Sequence, residues 1–264
     1  MSAANSSAYV ALDAHRFEPS ELTRGPWDPG HQHGGPPVAL AGRVVAREAA
    51  ALGMTHVARL TANLLRPVPI APLEVELATD YAGRNVAHFS GRIRAGEREV
   101  VRFTALAQRE QALELPAREL PQAPGPPEGL ETIVFPHRAG VVGYHDLVEL
   151  RVAAGTLTRG PCATWFRLRH PVVAGEAPGP FERVAVAADS GNGISAELDF
   201  KRYVFVNSDL TINLLRPARG EWICVDARTL LGPAGGGLAE ARLFDAAGLF
   251  GRSTQSLNVR ARQP

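Results

Sequence analysis

Cysteine is scarce: Cys162 and Cys224 are the only two in 264 residues. A disulfide framework needs more, so a reducing cytoplasm is the expected setting. Charge of one sign is also lacking. The formal net charge is +1 with 21% charged residues, which gives no reason to expect nucleic acid or an anionic membrane surface as a partner. Long hydrophobic runs are absent too: the most apolar stretch, Val38 to Leu52, is broken by Arg43, Arg47 and Glu48, so nothing in it reads as a membrane span. Met1-Ser2-Ala3-Ala4-Asn5 lacks a basic region followed by an apolar one, so no export signal is expected there. No Gly-x-Ser-x-Gly occurs, which disfavours a serine nucleophile. His31-Gln32-His33 has no Cys or Glu beside it and makes a poor ligand set, so neither metal nor cofactor is expected. Gly235-Gly236-Gly237 joins two strand-like runs; a phosphate cradle needs a following helix.

What the chain does have is itself, twice. Thr61-Ala62-Asn63-Leu64-Leu65-Arg66-Pro67 returns 150 positions later as Thr211-Ile212-Asn213-Leu214-Leu215-Arg216-Pro217. At the same offset Val75 matches Val225, Thr79 Thr229, Arg92 Arg242, Arg102 Arg252 and Thr104 Thr254. A second echo, Leu22-Thr23-Arg24-Gly25-Pro26 and Leu157-Thr158-Arg159-Gly160-Pro161, lies 135 apart. A period this long reads as two tandem domains, not a solenoid. The expected division is 1–112, a Pro-rich extended linker over 113–136, and 137–264.

In the first copy, residues 8 to 17 alternate as a strand. Pro36 and Pro37 then open a helix whose apolar positions Val38, Ala41, Val45, Ala49 and Leu52 recur at three and four, with Gly53 as its stop. Strands are predicted over Thr55–Leu65, Leu73–Tyr81, Val86–Ala95 and Glu99–Gln108. In the second copy they are predicted near Leu147–Ala153, Cys162–Arg169, Tyr203–Leu215, Trp222–Leu231, Leu238–Asp245 and Leu249–Arg260, with a helix from Phe181 to about Ser190. One amphipathic helix is all that each antiparallel meander has to cover its apolar face, so the sheet must wrap it: an α+β arrangement.

This pattern resembles the double hotdog. The Gly34-Gly35-Pro36 helix entry, the Leu-Leu-Arg-Pro strand ends, the Gly83-Arg84 hairpin and Asp189 at the end of the second helix together resemble the acyl-CoA thioesterase II-like family. The resemblance implies hydrolysis of acyl-CoA, with a water-activating Asp on the second helix, a hydroxyl or amide residue on the next strand, and a Gln on the last strand. The matching positions are Asp189, Asn207 and Gln255. The middle one departs from the usual Thr, and either Asn207 or the adjacent Ser208 could serve. The family also tilts the expectation toward a homo-oligomer.

Duplication supplies an internal control, because residues polar in one copy and apolar in the other are candidates for work that one copy does. Gln255 corresponds to Ala105, on the face shared with Val101 and Phe103. With Gly35-Pro36 matched to Gly179-Pro180, Asp189 corresponds to Val45. A carboxylate at a helix C-terminus faces the negative end of the dipole, a local violation that hints at function. Gly191 and Gly193 follow, leaving backbone that a substrate can approach. His33, Gly34, Gly35 and Gly191 are the expected substrate-contacting positions. Arg66 and Arg216, present in both copies, read as structural surface cations. Two rivals stay open: a hydratase on the same fold using Asp28 with His31 or His33, and a non-catalytic acyl-thioester binding module in which Asp189 and Gln255 satisfy each other.

Overall fold

A computed structural model describes residues 6–116, 119–133 and 141–262. The five N-terminal residues read for an export signal lie outside it, as do the end of the expected linker and residue 137, where the second domain was placed. In the first half, β1 (Tyr9–Ala11) and β2 (Arg16–Pro19) precede helix α1 (Gly35–Ala51). Strands β3 (His56–Leu64), β4 (Leu73–Ala82), β5 (Val86–Ala95) and β6 (Arg98–Gln108) follow. The second half has a short helix α2 (Tyr144–Leu147), β7 (Val148–Gly155), β8 (Cys162–Leu168), α3 (Pro180–Ala188) and a one-turn α4 (Gly191–Ile194). It ends in β9 (Tyr203–Asn207), β10 (Asp209–Leu214), β11 (Ile223–Leu231), β12 (Gly236–Asp245) and β13 (Gly248–Ala261).

All thirteen strands form one antiparallel sheet, ordered β1-β2-β4-β5-β6-β3-β10-β13-β12-β11-β8-β7, with β9 paired to β13. Read from the middle outward, the two halves have the same strand order. The join is where the repeated sequence meets itself: β3 pairs with β10, and Thr61 lies opposite Thr211 with their hydroxyls 3.1 Å apart. The register repeats at the 150 offset. Thr61 pairs with Thr104 and Thr211 with Thr254; Arg92 with Arg102 and Arg242 with Arg252. Even a cross-strand ion pair recurs, as Glu76–Arg92 at 2.5 Å and Asp226–Arg242 at 2.6 Å. The chain is a double hotdog.

The inner face of the sheet covers α1 and α3, and the buried positions of both helices and both half-sheets form one continuous core. The helices run antiparallel: Gly35 abuts Val186, and Gly42 abuts Phe181. Glycine is required there for space. A Cβ on Gly42 would stand 2.3 Å from Phe181 Cδ1, and one on Gly35 2.9 Å from the Val186 carbonyl oxygen.

Three expectations need correction: the strand over 8–17, the strand over 203–215 and the second echo. The single strand over 8–17 is a hairpin, because the Asp13 carboxylate accepts from the His15 and Arg16 N–H groups and makes a turn. The single strand over 203–215 breaks at Ser208, whose N–H bonds Ser256 and whose carbonyl accepts from Leu64. Part of the linker is docked: Trp165 Nε1 donates to the Gly125 carbonyl at 2.8 Å and Arg151 to that of Pro127 at 2.9 Å. It covers an outer apolar cluster of Trp165, Cys224, Phe244 and Leu249. The second echo is not structural, since Leu22–Pro26 leads toward α1 whereas Leu157–Pro161 turns β7 into β8. Duplication rests on the first echo alone.

Candidate active site

Helix α3 begins at a Gly179 cap with Pro180 in its first turn and ends at Asp189. Antiparallel packing brings that end against the start of α1. Asp189 is 6% exposed, and a Cβ on Gly34 would stand 2.8 Å from its Oδ2. The carboxylate therefore sits at the C-terminus of its own helix but also at the positive N-terminus of its neighbour. The unfavourable dipole inferred from sequence is offset by a partner that only packing supplies.

Three side chains reach this carboxylate. Asn207, the last residue of β9, donates Nδ2 to Oδ1 at 2.8 Å. Gln255, inward on β13 and 2% exposed, donates Nε2 to the Asp189 carbonyl at 3.0 Å and lies 3.4 Å from Oδ1. Its Oε1 accepts from the Asn192 N–H at 2.9 Å, so the amide ties α4 to the sheet. Gly191 leaves room for this, since a Cβ there would come within 3.2 Å of Gln255 Oε1. Ser208 is exposed at the strand break, so of the two alternatives it is Asn207 that touches Asp189.

His33 is the third partner, its Nδ1 2.9 Å from Asp189 Oδ2. The Gly35 N–H lies 3.2 Å from the same Nδ1, and both contacts cannot be hydrogen bonds at once. The shorter, charge-assisted one prevails, with Nδ1 carrying the proton. The Gly35 N–H is then left to the carboxylate. Burial opposes ionisation of Asp189, but the charge and hydrogen bond of the His33 ring, the Asn207 amide and the Gly35 N–H outweigh it. Its pKa is held below the ordinary carboxylate value. The His33 ring stacks on Tyr144 at 3.7 Å, and the Tyr144 hydroxyl bonds the Val186 carbonyl at 2.7 Å and Ser190 Oγ at 2.9 Å. Burial pushes the phenol well above its usual pKa, so it stays neutral.

His33, Tyr144, Asp189, Ser190 and Asn207 wall one part of a cavity of about 790 Å³. Trp27, Phe200, Val204, Val206 and Ile194 supply apolar wall, and Trp27, Phe200 and Phe205 pack ring to ring at 4.7 to 5.7 Å. His33, Gly34 and Leu64 come from the first half, Asp189 and Asn207 from the second. Asp28 and His31 are 3.3 Å apart on the exposed loop, and His31 does not join His33. Gly35 is buried under Val186, and it meets the site through its N–H.

Sequence reasoning missed Tyr144 and Asn192. Tyr144 lies just after the linker with no pattern around it. Asn192 sits between the two glycines already singled out; its buried side-chain carbonyl has no hydrogen-bond partner among the described residues.

Comparison with known proteins agrees with this architecture. Residues 23–108 match the acyl-CoA thioesterase N-terminal domain family and residues 117–259 the acyl-CoA thioesterase C-terminal domain family. Among solved structures, a candidate thioesterase II from Thermobifida fusca is 19% identical with a TM-score of 0.77, over 98% of each chain. A hot dog fold protein of unknown function from Alicyclobacillus acidocaldarius is 17% identical with a TM-score of 0.74, over 100% of this chain and 99% of that one. An acyl-CoA thioesterase II from Mycobacterium marinum is 17% identical with a TM-score of 0.68, over 97% of each. At these identities the structures speak for the fold alone. No curated protein sequence matches.

Proposed function

Because the chain belongs to the acyl-CoA thioesterase family, through an N-terminal and a C-terminal domain in that order, we propose that it hydrolyses acyl-CoA with Asp189 as the base. Water loses a proton to the carboxylate as its oxygen bonds the thioester carbon. The C–S bond then breaks, the acid is released, and the thiolate takes up the proton. The observation that supports this is convergence: Asn207, Gln255 and His33 all meet one buried carboxylate on the wall of a largely apolar cavity. The loosest contact, Gln255 Nε2 to Asp189 Oδ1 at 3.4 Å, is where a water enters to be held by both groups. The ionised state of Asp189 keeps it able to accept a proton near neutrality, and its depressed pKa makes it a modest base that relies on position. At the start of α1, Pro36 and Pro37 have no N–H and the Gly35 N–H faces Asp189, so the Gly34 N–H is the group offered to the developing oxyanion. The acyl chain takes the apolar wall.

One observation favours a second reading of the base. His33 lines the cavity with Nδ1 turned to Asp189, and in the form of the ring that carries a single proton, on Nδ1, Nε2 would be an acceptor. His33 would then abstract the proton and Asp189 would orient it, following the logic of a catalytic dyad. Thiol release from a panel of acyl-CoA esters, with enoyl-CoA hydration followed in parallel, tests the reaction class. No thiol release across the panel refutes it, and hydration alone selects the hydratase. Comparing His33→Gln with Asp189→Asn separates the bases: the larger loss of kcat marks the residue that takes the proton.

A further inference from the structure

The same internal control points to a second specialised place, this time in the first copy. Arg216 lies just past β10 and is spent on the fold. It donates to both oxygens of buried Asp245 at 2.6 and 2.8 Å, and Asp245 also accepts from the Arg219 and Ala247 N–H groups. The equivalent of Asp245 is Ala95, in matching register: Ala95 pairs with Arg98 as Asp245 pairs with Gly248. Arg66, the equivalent of Arg216, has therefore lost its carboxylate. It is exposed, its side chain donates to the Glu99 carbonyl at 2.7 Å, and it has no ion pair among the described residues.

The surroundings changed in the same direction. Positions 94 and 98 are arginine in the first copy, whereas their counterparts are Phe244 and Gly248. The result is an open hollow lined by Arg66, Arg94, Arg98 and Arg102 with Glu97 and Glu99. Arg102 is held by Glu99 at 2.7 Å and Arg94 lies 3.9 Å from Glu76, but Arg98, like Arg66, has no ion pair among the described residues. In the second copy this place is apolar and covered by the linker through Phe244 and Leu249. Arg66 also lines the cavity that contains Asp189. Four guanidinium groups against two carboxylates leave the hollow with an excess of positive charge, and guanidinium forks match phosphate oxygens two at a time.

We propose that Arg66 and Arg98 seat the phosphate groups of the coenzyme A portion of the substrate, at the exposed rim of the cavity that holds Asp189. The inference rests on the acyl-CoA reading above and adds to it which half of the molecule grips the leaving group. One copy binds the phosphates and the other holds the base.

The test uses two esters of the same acid, acyl-CoA and acyl-pantetheine, which lacks every phosphate, and compares their kcat/KM in the wild type, Arg66→Ala and Arg98→Ala. The advantage of acyl-CoA should shrink by roughly ten- to a hundredfold in Arg66→Ala, the usual worth of a hydrogen bond to a charged group, and should shrink also in Arg98→Ala. It should shrink in the wild type as salt is raised. A ratio that stays constant, whether both esters slow together or neither does, overturns the proposal. Binding of coenzyme A against pantetheine by calorimetry gives the same comparison without turnover. A protein that releases no thiol thus refutes the hydrolase reading while leaving this one to be decided by the binding ratio. Coenzyme A binding no tighter than pantetheine overturns it.

Discussion

The two halves share strand order, register and even a surface ion pair, yet they bury different chemistry. Around the second helix the interior holds Asp189 and Gln255, while the equivalent positions in the first half are Val45 and Ala105, both fully packed. Where the second half keeps the Arg216–Asp245 pair, the first has Ala95 and an Arg66 with no ion pair among the described residues. The remaining end of the helix pair, near the start of α3, is closed by Arg43 and Arg47 on Glu176 at 2.6 and 2.9 Å. On the function proposed above, duplication provides two scaffolds for one site. On that reading each copy is released from half of the work, and Val45 and Ala105 pack where a polar group would need hydrogen-bond partners. The difference between copies therefore marks function more sharply than either copy does alone.

The sharpest way to break that comparison is to make the second copy resemble the first at its carboxylate. Asp189→Asn should lower thiol release by roughly two to four orders of magnitude, the range for losing a positioned base, with little change in KM. It should also lower stability, the opposite of what a helix-dipole argument from sequence suggests, since Asp189 faces the α1 N-terminus. The folded-state pKa is depressed, so the carboxylate stabilises the fold above its unfolded pKa and that contribution is lost as pH falls through the folded value. Acid melts should accordingly show a shallower loss of stability at and below the ordinary carboxylate range for Asp189→Asn than for wild type.

Next in size is Arg216→Ala, which leaves Asp245 buried without its cation. It should cost about 3 kcal/mol, near the lower bound for breaking a buried pair because two backbone N–H groups remain. The matched Arg66→Ala should move the melting temperature hardly at all, within about 0.5 kcal/mol. Equal losses in the two variants would erase the contrast between the copies.

Gln255→Ala should reduce turnover at least about tenfold. It should also cost roughly 1 to 3 kcal/mol, because the Asn192 N–H and the Asp189 carbonyl lose their partner. The reciprocal Ala105→Gln should destabilise without adding activity, since an amide buried there meets Val45 in place of Asp189. A large stability loss in Gln255→Ala with full turnover would make Gln255 structural. The smallest effect is expected at the strand break. Ser208→Ala should leave turnover and melting within error, whereas Asn207→Ala should lower kcat; the reverse order would move the assisting role one residue on.

Much of this was legible in the chain itself. The 150-residue echo determined the equivalence of β3 and β10, and hence the register of both half-sheets, because period-two strands admit no slip without turning the core face outward. Helical spacing in 38–52 located α1, and polar-for-apolar exchanges at 189 and 255 located the candidate site. Tertiary structure alone decided the rest. Antiparallel helix packing set Asp189 on the neighbouring helix's positive end and reversed the sign of its dipole argument. The break at Ser208 turned Asn207 inward, and Tyr144 reached His33 from across the linker. Arg66 and Arg216 are identical as letters and differ only because Asp245 stands beside one of them and Ala95 beside the other. A sequence pattern reports the period of a segment and the polarity of its faces. Which charge meets which pole or partner depends on contacts between residues distant along the chain, and packing alone supplies them.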